Sequence, residues 1–120
     1  ERAGVPVHAI ASGHHHSLQL FETPGPGPNL HAIVGSGARA RARNPEAVTH
    51  PARRYGALEL GFARIDVMGS GEEGRLYVSL FSTPTYPILA LATGGPELVA
   101  RWSVDHAGQT RNELPSTETR

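Results

Sequence analysis

Two histidines one residue apart, His14 and His16, lie in the stretch Gly13-His14-His15-His16. Imidazole is the commonest protein ligand for transition metals. In an extended or tight-loop backbone, residues two apart point to the same side. His14 and His16 are therefore expected to face one metal site together, with His15 pointing away. Gly13 carries no Cβ, so the chain can leave a strand sharply there and a metal or substrate can come close. The chemistry implied is metal-assisted hydrolysis. Cysteine is absent, which excludes thiolate ligands and disulfides.

The elements that must hold this pair are strands. Val7–Ser12 (V-H-A-I-A-S) is an apolar, partly β-branched run expected as a buried strand. Ser17–Glu22 alternates, with Leu18 and Leu20 on one face, as in a half-buried strand. Thr23–Asn29 holds Pro24-Gly25-Pro26-Gly27-Pro28 and predicts an exposed hairpin tip. Leu30–Val34 predicts another buried strand, ended by Gly35-Ser36-Gly37. Ala38–Pro51 is punctuated by arginine and proline and is expected as a long loop.

Ala57–Val67 alternates strictly, but its apolar parity switches near Gly61–Ala63, which predicts a bulge or a crossing. Gly69–Gly74 predicts a hairpin turn and Arg75–Ser82 its partner strand. Ile88–Ala92 and Glu97–Val104 predict two more strands, and Glu1–Gly4 resembles the last turn of a helix. From Asp105 the chain is polar and aperiodic, so a frayed tail is expected. The expected class is mostly β, with five to seven strands and little helix.

The bulk composition narrows the choice. The 120 residues suffice for one modest core. The formal net charge is zero, so nothing global draws the chain to nucleic acid or an anionic membrane, and neither is expected as a partner. No apolar run reaches the roughly 20 residues of a membrane helix. All eleven basic residues are arginine. The first residue is Glu1 rather than Met, and this leads to the expectation that the chain is a piece of a longer polypeptide.

The residues Ala11 to Leu20 (A-S-G-H-H-H-S-L-Q-L), with Ile33-Val34-Gly35-Ser36-Gly37-Ala38 after a hairpin, resemble the last conserved part of calcineurin-like metallophosphoesterases. Within that superfamily they are most similar to the purple, or tartrate-resistant, acid phosphatase branch. There, Gly-His-x-His precedes a Leu-Gln pair and then a Ser-Gly-Ala-Gly turn. Here the turn is Gly35-Ser36-Gly37-Ala38. Tyr55–Val67 and Leu76–Ser82 resemble the closing strands of that domain, so the likeness spans Ala3 to Phe81.

The resemblance implies that residues 1–104 are the C-terminal sheet portion of an α/β metallophosphoesterase sandwich and that residues 105–120 are a polar tail. It implies a dinuclear centre of divalent or trivalent ions (Fe, Zn or Mn), with His16 on the first metal and His14 on the second. It implies a phosphoester substrate, carried on a small molecule or a phosphoprotein, and an extracytoplasmic location. The family also needs upstream Asp-x-His, Gly-Asp and Asn-His-Asp/Glu motifs and a further histidine, and this sequence has none of them. The N-terminal half of the domain is thus an implied partner, and these 120 residues by themselves are expected to be inactive. No catalytic residue and no substrate-binding residue is assigned.

Two other readings compete. One is a non-catalytic β-sandwich module, for binding or structure, whose histidines are incidental. The other is a mononuclear metal site, for which no further ligand can be named. The only aspartates, Asp66 and Asp105, have no spacing that completes a site. His8, His31, His50 and His106 are expected as ordinary strand or loop residues. Arg39, Arg41 and Arg43 alternate with alanine and are expected as a solvated loop rather than a phosphate-facing comb. Trp102 and the Tyr77–Phe81 strand are expected in the core or on a sheet face.

Overall fold

The computed structural model describes residues 7–15, 17–35, 50–57, 59–83 and 95–114. Two four-stranded sheets pack face to face. The first holds β1 (Ala9–Ser12), β2 (Leu18–Glu22), β3 (Leu30–Val34) and β4 (Arg53–Ala57), in the order β1-β3-β2-β4. The second holds β5 (Gly61–Met68), β6 (Arg75–Ser82), β7 (Glu97–Asp105) and β8 (Thr110–Asn112), in sequence order and antiparallel throughout. The fold is therefore mostly β. Among the described residues there are eight strands rather than five to seven, and one short 3-10 turn at Gly71–Glu73.

Side-chain alternation makes the core. Leu18 and Leu20 on β2 are buried with Leu30 and Ala32 on β3; across from them lie Val78 and Leu80 on β6 and Ala100 and Val104 on β7. Seven of these buried residues, all but Leu18, form one continuous cluster, and Tyr55, Ala63, Leu76 and Trp102 pack around it. Trp102 and Tyr77–Phe81 thus occupy the sheet faces expected for them. The alternating run Ala57–Val67 is two strands in two sheets. β4 ends at Ala57 in one sheet and β5 begins at Gly61 in the other, which accounts for the parity switch in the sequence.

The two long sides of the sandwich differ. On the β4/β8 side a polar clasp ties the sheets. Arg54 donates to the buried Glu22 carboxylate at 3.1 Å and pairs with it at 2.9 Å. The Thr110 hydroxyl donates to the other carboxylate oxygen, and the Arg54 guanidinium lies 5.8 Å from the Trp102 ring centre. Glu22 is 7% exposed, and the pair stands because both its oxygens are engaged. On the β1/β5 side no such clasp is described. Ile10, Ile65, Val67 and Met68 are exposed there.

Three expectations change. β1 begins at Ala9 rather than Val7, and it is an exposed edge rather than a buried strand. It pairs only with β3, and its core-facing residues are Ala9 and Ala11, too short to reach the cluster's centre. The segment from Asp105 is not a frayed tail through Leu114. Asp105 Oδ1 accepts the N–H groups of Ala107 at 3.0 Å and Gln109 at 2.9 Å, Gly108 adopts φ +87°, and β8 returns to pair with β7. Arg53–Ala57, whose first residues carry no apolar pattern, forms β4 against β2. The expected helix turn at residues 1–4, the strand at 88–92 and most of the loop at 38–51 lie outside the described residues.

The Asp105 turn yields a pH prediction. The Gln109 N–H holds this carboxyl below its usual 3.8, against the effect of burial, with help from Ala107 N–H and from Arg75. A depressed folded-state value stabilises the fold above the ordinary pKa, and that stabilisation is lost as pH falls through the folded value. Asp105→Ala is therefore expected to lower the melting temperature at pH 7 and to flatten its decline below about pH 4. Parallel melting curves at pH 7 and pH 3 measure this; an equal shift at both would refute the linkage.

Candidate metal-ligand arch

The histidine stretch joins β1 to β2, but these strands are not neighbours. β3 lies between them, parallel to β1 and antiparallel to β2. Ser12 is level with Ile33, and Leu18 is level with Val34. Residues 13–17 must therefore arch over the C-terminal end of β3. The chain of β3 leaves beneath the arch at Gly35.

Two tight turns build the arch. His15 N–H donates to Gly13 O at 2.9 Å, and Ser17 N–H donates to His15 O at 2.8 Å. His14, between the first pair, has φ +76°, a conformation that L residues other than Asn, Asp and His seldom take. Such a residue stores on the order of 1–3 kcal/mol of strain. The backbone at His14 is thus not extended, and the same-side argument for residues two apart does not apply to it. His16 lies outside the described residues.

Gly35 is the seat of the arch. A Cβ there would stand 2.2 Å from the His15 carbonyl oxygen and 3.1 Å from the His14 nitrogen. Gly35 N–H also donates to Ser17 O at 3.4 Å. Turn chemistry marks this glycine in the sequence only as the end of β3; its need here comes from a chain segment crossing above it.

His14 is exposed. Its ring meets the His15 ring edge-on, with centres 5.4 Å apart, and makes no hydrogen bond to another described residue. Its nitrogens are available to a metal. Beside the arch is a hollow of about 340 Å3, lined by Ala11, Ser12, Gly13, Val34, Ala63 and Ile65. It opens on the unclasped side of the sandwich.

His8, His31 and His50 are engaged elsewhere. His31 Nε2 lies 3.0 Å from Ser12 Oγ, and His8 Nε2 lies 3.1 Å from His106 O. His50 Nδ1 accepts from Ala52 N–H at 3.1 Å and its ring packs edge-on against Phe21. Arg39, Arg41 and Arg43 lie outside the described residues. Among the described residues no group of three or more His, Asp or Glu is placed to hold a metal ion. Asp66 pairs with Arg64 at 2.9 Å, and Asp105 is committed to its turn.

The donor chemistry of the arch suits Zn, Fe or Mn. Of the expected ligand pair, His14 lies exposed on the arch, and no carboxylate joins it in a metal-sized group among the described residues. No family model, curated protein or solved structure matches the chain.

Proposed function

We propose that this chain is the sheet portion of a metallophosphoesterase resembling the purple acid phosphatases, in which His14 and His16 bind a dinuclear metal centre. The observation that carries this reading is the arch: a strained, exposed His14 held over Gly35 at the end of β3, with no hydrogen bond to the other described residues. Residues held at positive φ are frequent at ligand-binding and switch sites, and this favours the reading.

In this reading the arch presents imidazole nitrogens at the end of a rigid sheet, and the short turns limit how far they can move. Ser12, linked to His31, fixes the departure of β1 into the arch. When bound, a metal pair supplies charge stabilisation to phosphoryl oxygens and activates water for in-line attack. The carboxylate and further histidine ligands come from protein beyond these 120 residues, and the open β1/β5 side is where it would pack.

The test uses the polypeptide encoded by the complete reading frame. Its hydrolysis of p-nitrophenyl phosphate, with Zn, Fe or Mn supplied, should fall to background in the His14→Ala/His16→Ala double variant, and bound metal measured by mass spectrometry should fall with it. Retained activity with both histidines gone refutes the proposal. One observation favours a second reading: the two sheets already close a common core and clasp each other through Glu22. If the polypeptide binds no metal and remains a folded monomer, the non-catalytic sandwich module is the better account.

A further inference from the structure

The sheet edges are not protected alike. Among the described residues, β1, β4, β5 and β8 each have a ladder on one side only. An open edge invites pairing with another chain, and proteins blunt it by shortness, charge, proline or a bulge. β1 has four residues and β8 has three. β4 begins Arg53-Arg54, and its ladder with β2 is broken by a register shift. β5 is longer and flatter. It runs eight residues, Gly61–Met68, without a proline, and its ladder with β6 keeps one register throughout. Six large apolar side chains are exposed among the described residues, and four of them are on this strand: Phe62, Ile65, Val67 and Met68. Exposed apolar surface is thus concentrated on the one long edge, and such concentration marks interaction sites.

The ladder also fixes which backbone groups of β5 face outward. Thr83 N–H donates to Leu60 O at 2.8 Å, so these two residues are a hydrogen-bonded pair in line with the β5–β6 register. In an antiparallel ladder such pairs alternate with non-bonded ones. Phe62, Arg64, Asp66 and Met68 therefore direct their N–H and C=O at β6, and Ala63, Ile65 and Val67 direct theirs away from it. A second β5 laid antiparallel must match outward groups to outward groups. A twofold axis at Ile65 does this. It sets Arg64 opposite the second copy's Asp66, and Asp66 opposite its Arg64. Phe62 then faces Met68, and Ala63 faces Val67. Moving the axis by one residue sets Arg64 against Arg64 or Asp66 against Asp66, and like charges directly opposite are destabilising. The charges of β5 therefore complement a second β5 in this register and oppose it in the adjacent ones.

We propose that this edge binds a second copy of the chain, β5 against β5, with the twofold axis at Ile65. The two second sheets then form one continuous eight-stranded sheet across an isologous interface. The pairing uses neither the arch nor β1. It stands apart from the metal reading and leaves β1, in the other sheet, to protein beyond these 120 residues.

The test again uses the polypeptide encoded by the complete reading frame, followed by sedimentation equilibrium. A dimer with a dissociation constant below about 100 µM is expected. Arg64→Asp makes the edge acidic and Asp66→Arg makes it basic, so each alone should weaken self-association by about 10-fold or more. An equimolar mixture of the two variants should recover the dimer, because opposite charges face each other again in the Ile65 register. Unchanged melting temperatures at low concentration show that both variants fold. In hydrogen exchange the amides of Ala63, Ile65 and Val67 should gain protection with concentration, while those of Arg64 and Asp66, already bonded to β6, should not. A polypeptide that stays monomeric at about 500 µM overturns the proposal and leaves the edge to another part of the longer chain. A dimer indifferent to both single variants, or a mixture that does not recover it, overturns the proposal as well.

Discussion

Leu80→Ala is expected to destabilise the fold by about 3–5 kcal/mol, the upper part of the range for truncating a buried leucine. Leu80 is completely buried on β6, an interior strand, and belongs to the cluster that joins the two sheets. Its neighbours across the ladder are Ala63 and Ala100. Alanines on both sides cannot expand to fill the space a lost isobutyl group leaves, so the cavity term stays near its maximum. A domain of this size has a total stability of about 5–15 kcal/mol. The variant therefore stands close to unfolding at ambient temperature. Urea titration measures the effect, with the midpoint falling at an unchanged slope. A loss below about 1 kcal/mol would mean that the sheets do not share the core described above.

Gly35→Ala is expected to act on the arch rather than the core. The added methyl collides with a backbone carbonyl, and that carbonyl is pinned by the Ser17 N–H. Neither partner is the flexible end of a side chain, so relief requires the arch to lift or β3 to slip. A destabilisation of about 1–3 kcal/mol is expected, the range for overpacked sites. Its signature is local: amide shifts at residues 13–17 and 33–35, with the β6–β7 ladder unaffected. If the arch binds metal, affinity falls in the same variant. Shifts spread evenly over both sheets would argue that Gly35 is not the seat of the arch.

Much of the sandwich was legible because its signals are local. Leu18 and Leu20 alternate with polar neighbours, and β2 has that register. Gly69–Gly74 between two alternating runs is a hairpin connection. The parity switch near Gly61 was also visible, as the trace of a chain changing sheets. Asp105-His106-Ala107-Gly108 has turn chemistry too, with a carboxylate that captures N–H groups and a glycine at positive φ. Its polar successors concealed β8, which is held mainly by its ladder with β7 and by Thr110 on Glu22.

What remained illegible is non-local. Nothing near Glu22 announces that Arg54 and Thr110 will close over it. β1 is apolar enough to suggest burial, yet an edge position decides exposure, and edge position is a property of the whole sheet. The histidine pair showed its chemistry by residue type. Its backbone conformation did not follow from alternation, because the turn at His14 is imposed by the need to cross β3 in five residues.

That crossing also sets an order of assembly. β2 and β3 are joined by a short hairpin and can pair early, whereas β1 can reach its place only beside a β3 that already exists. Pairs distant in sequence close late because their loop entropy must be met first. The arch is therefore a product of the last docking step in its sheet: amides of β1 should gain protection in pulsed hydrogen exchange after those of β2 and β3. A chain caught before that step would hold its histidines on a free segment, unable to present them as a pair.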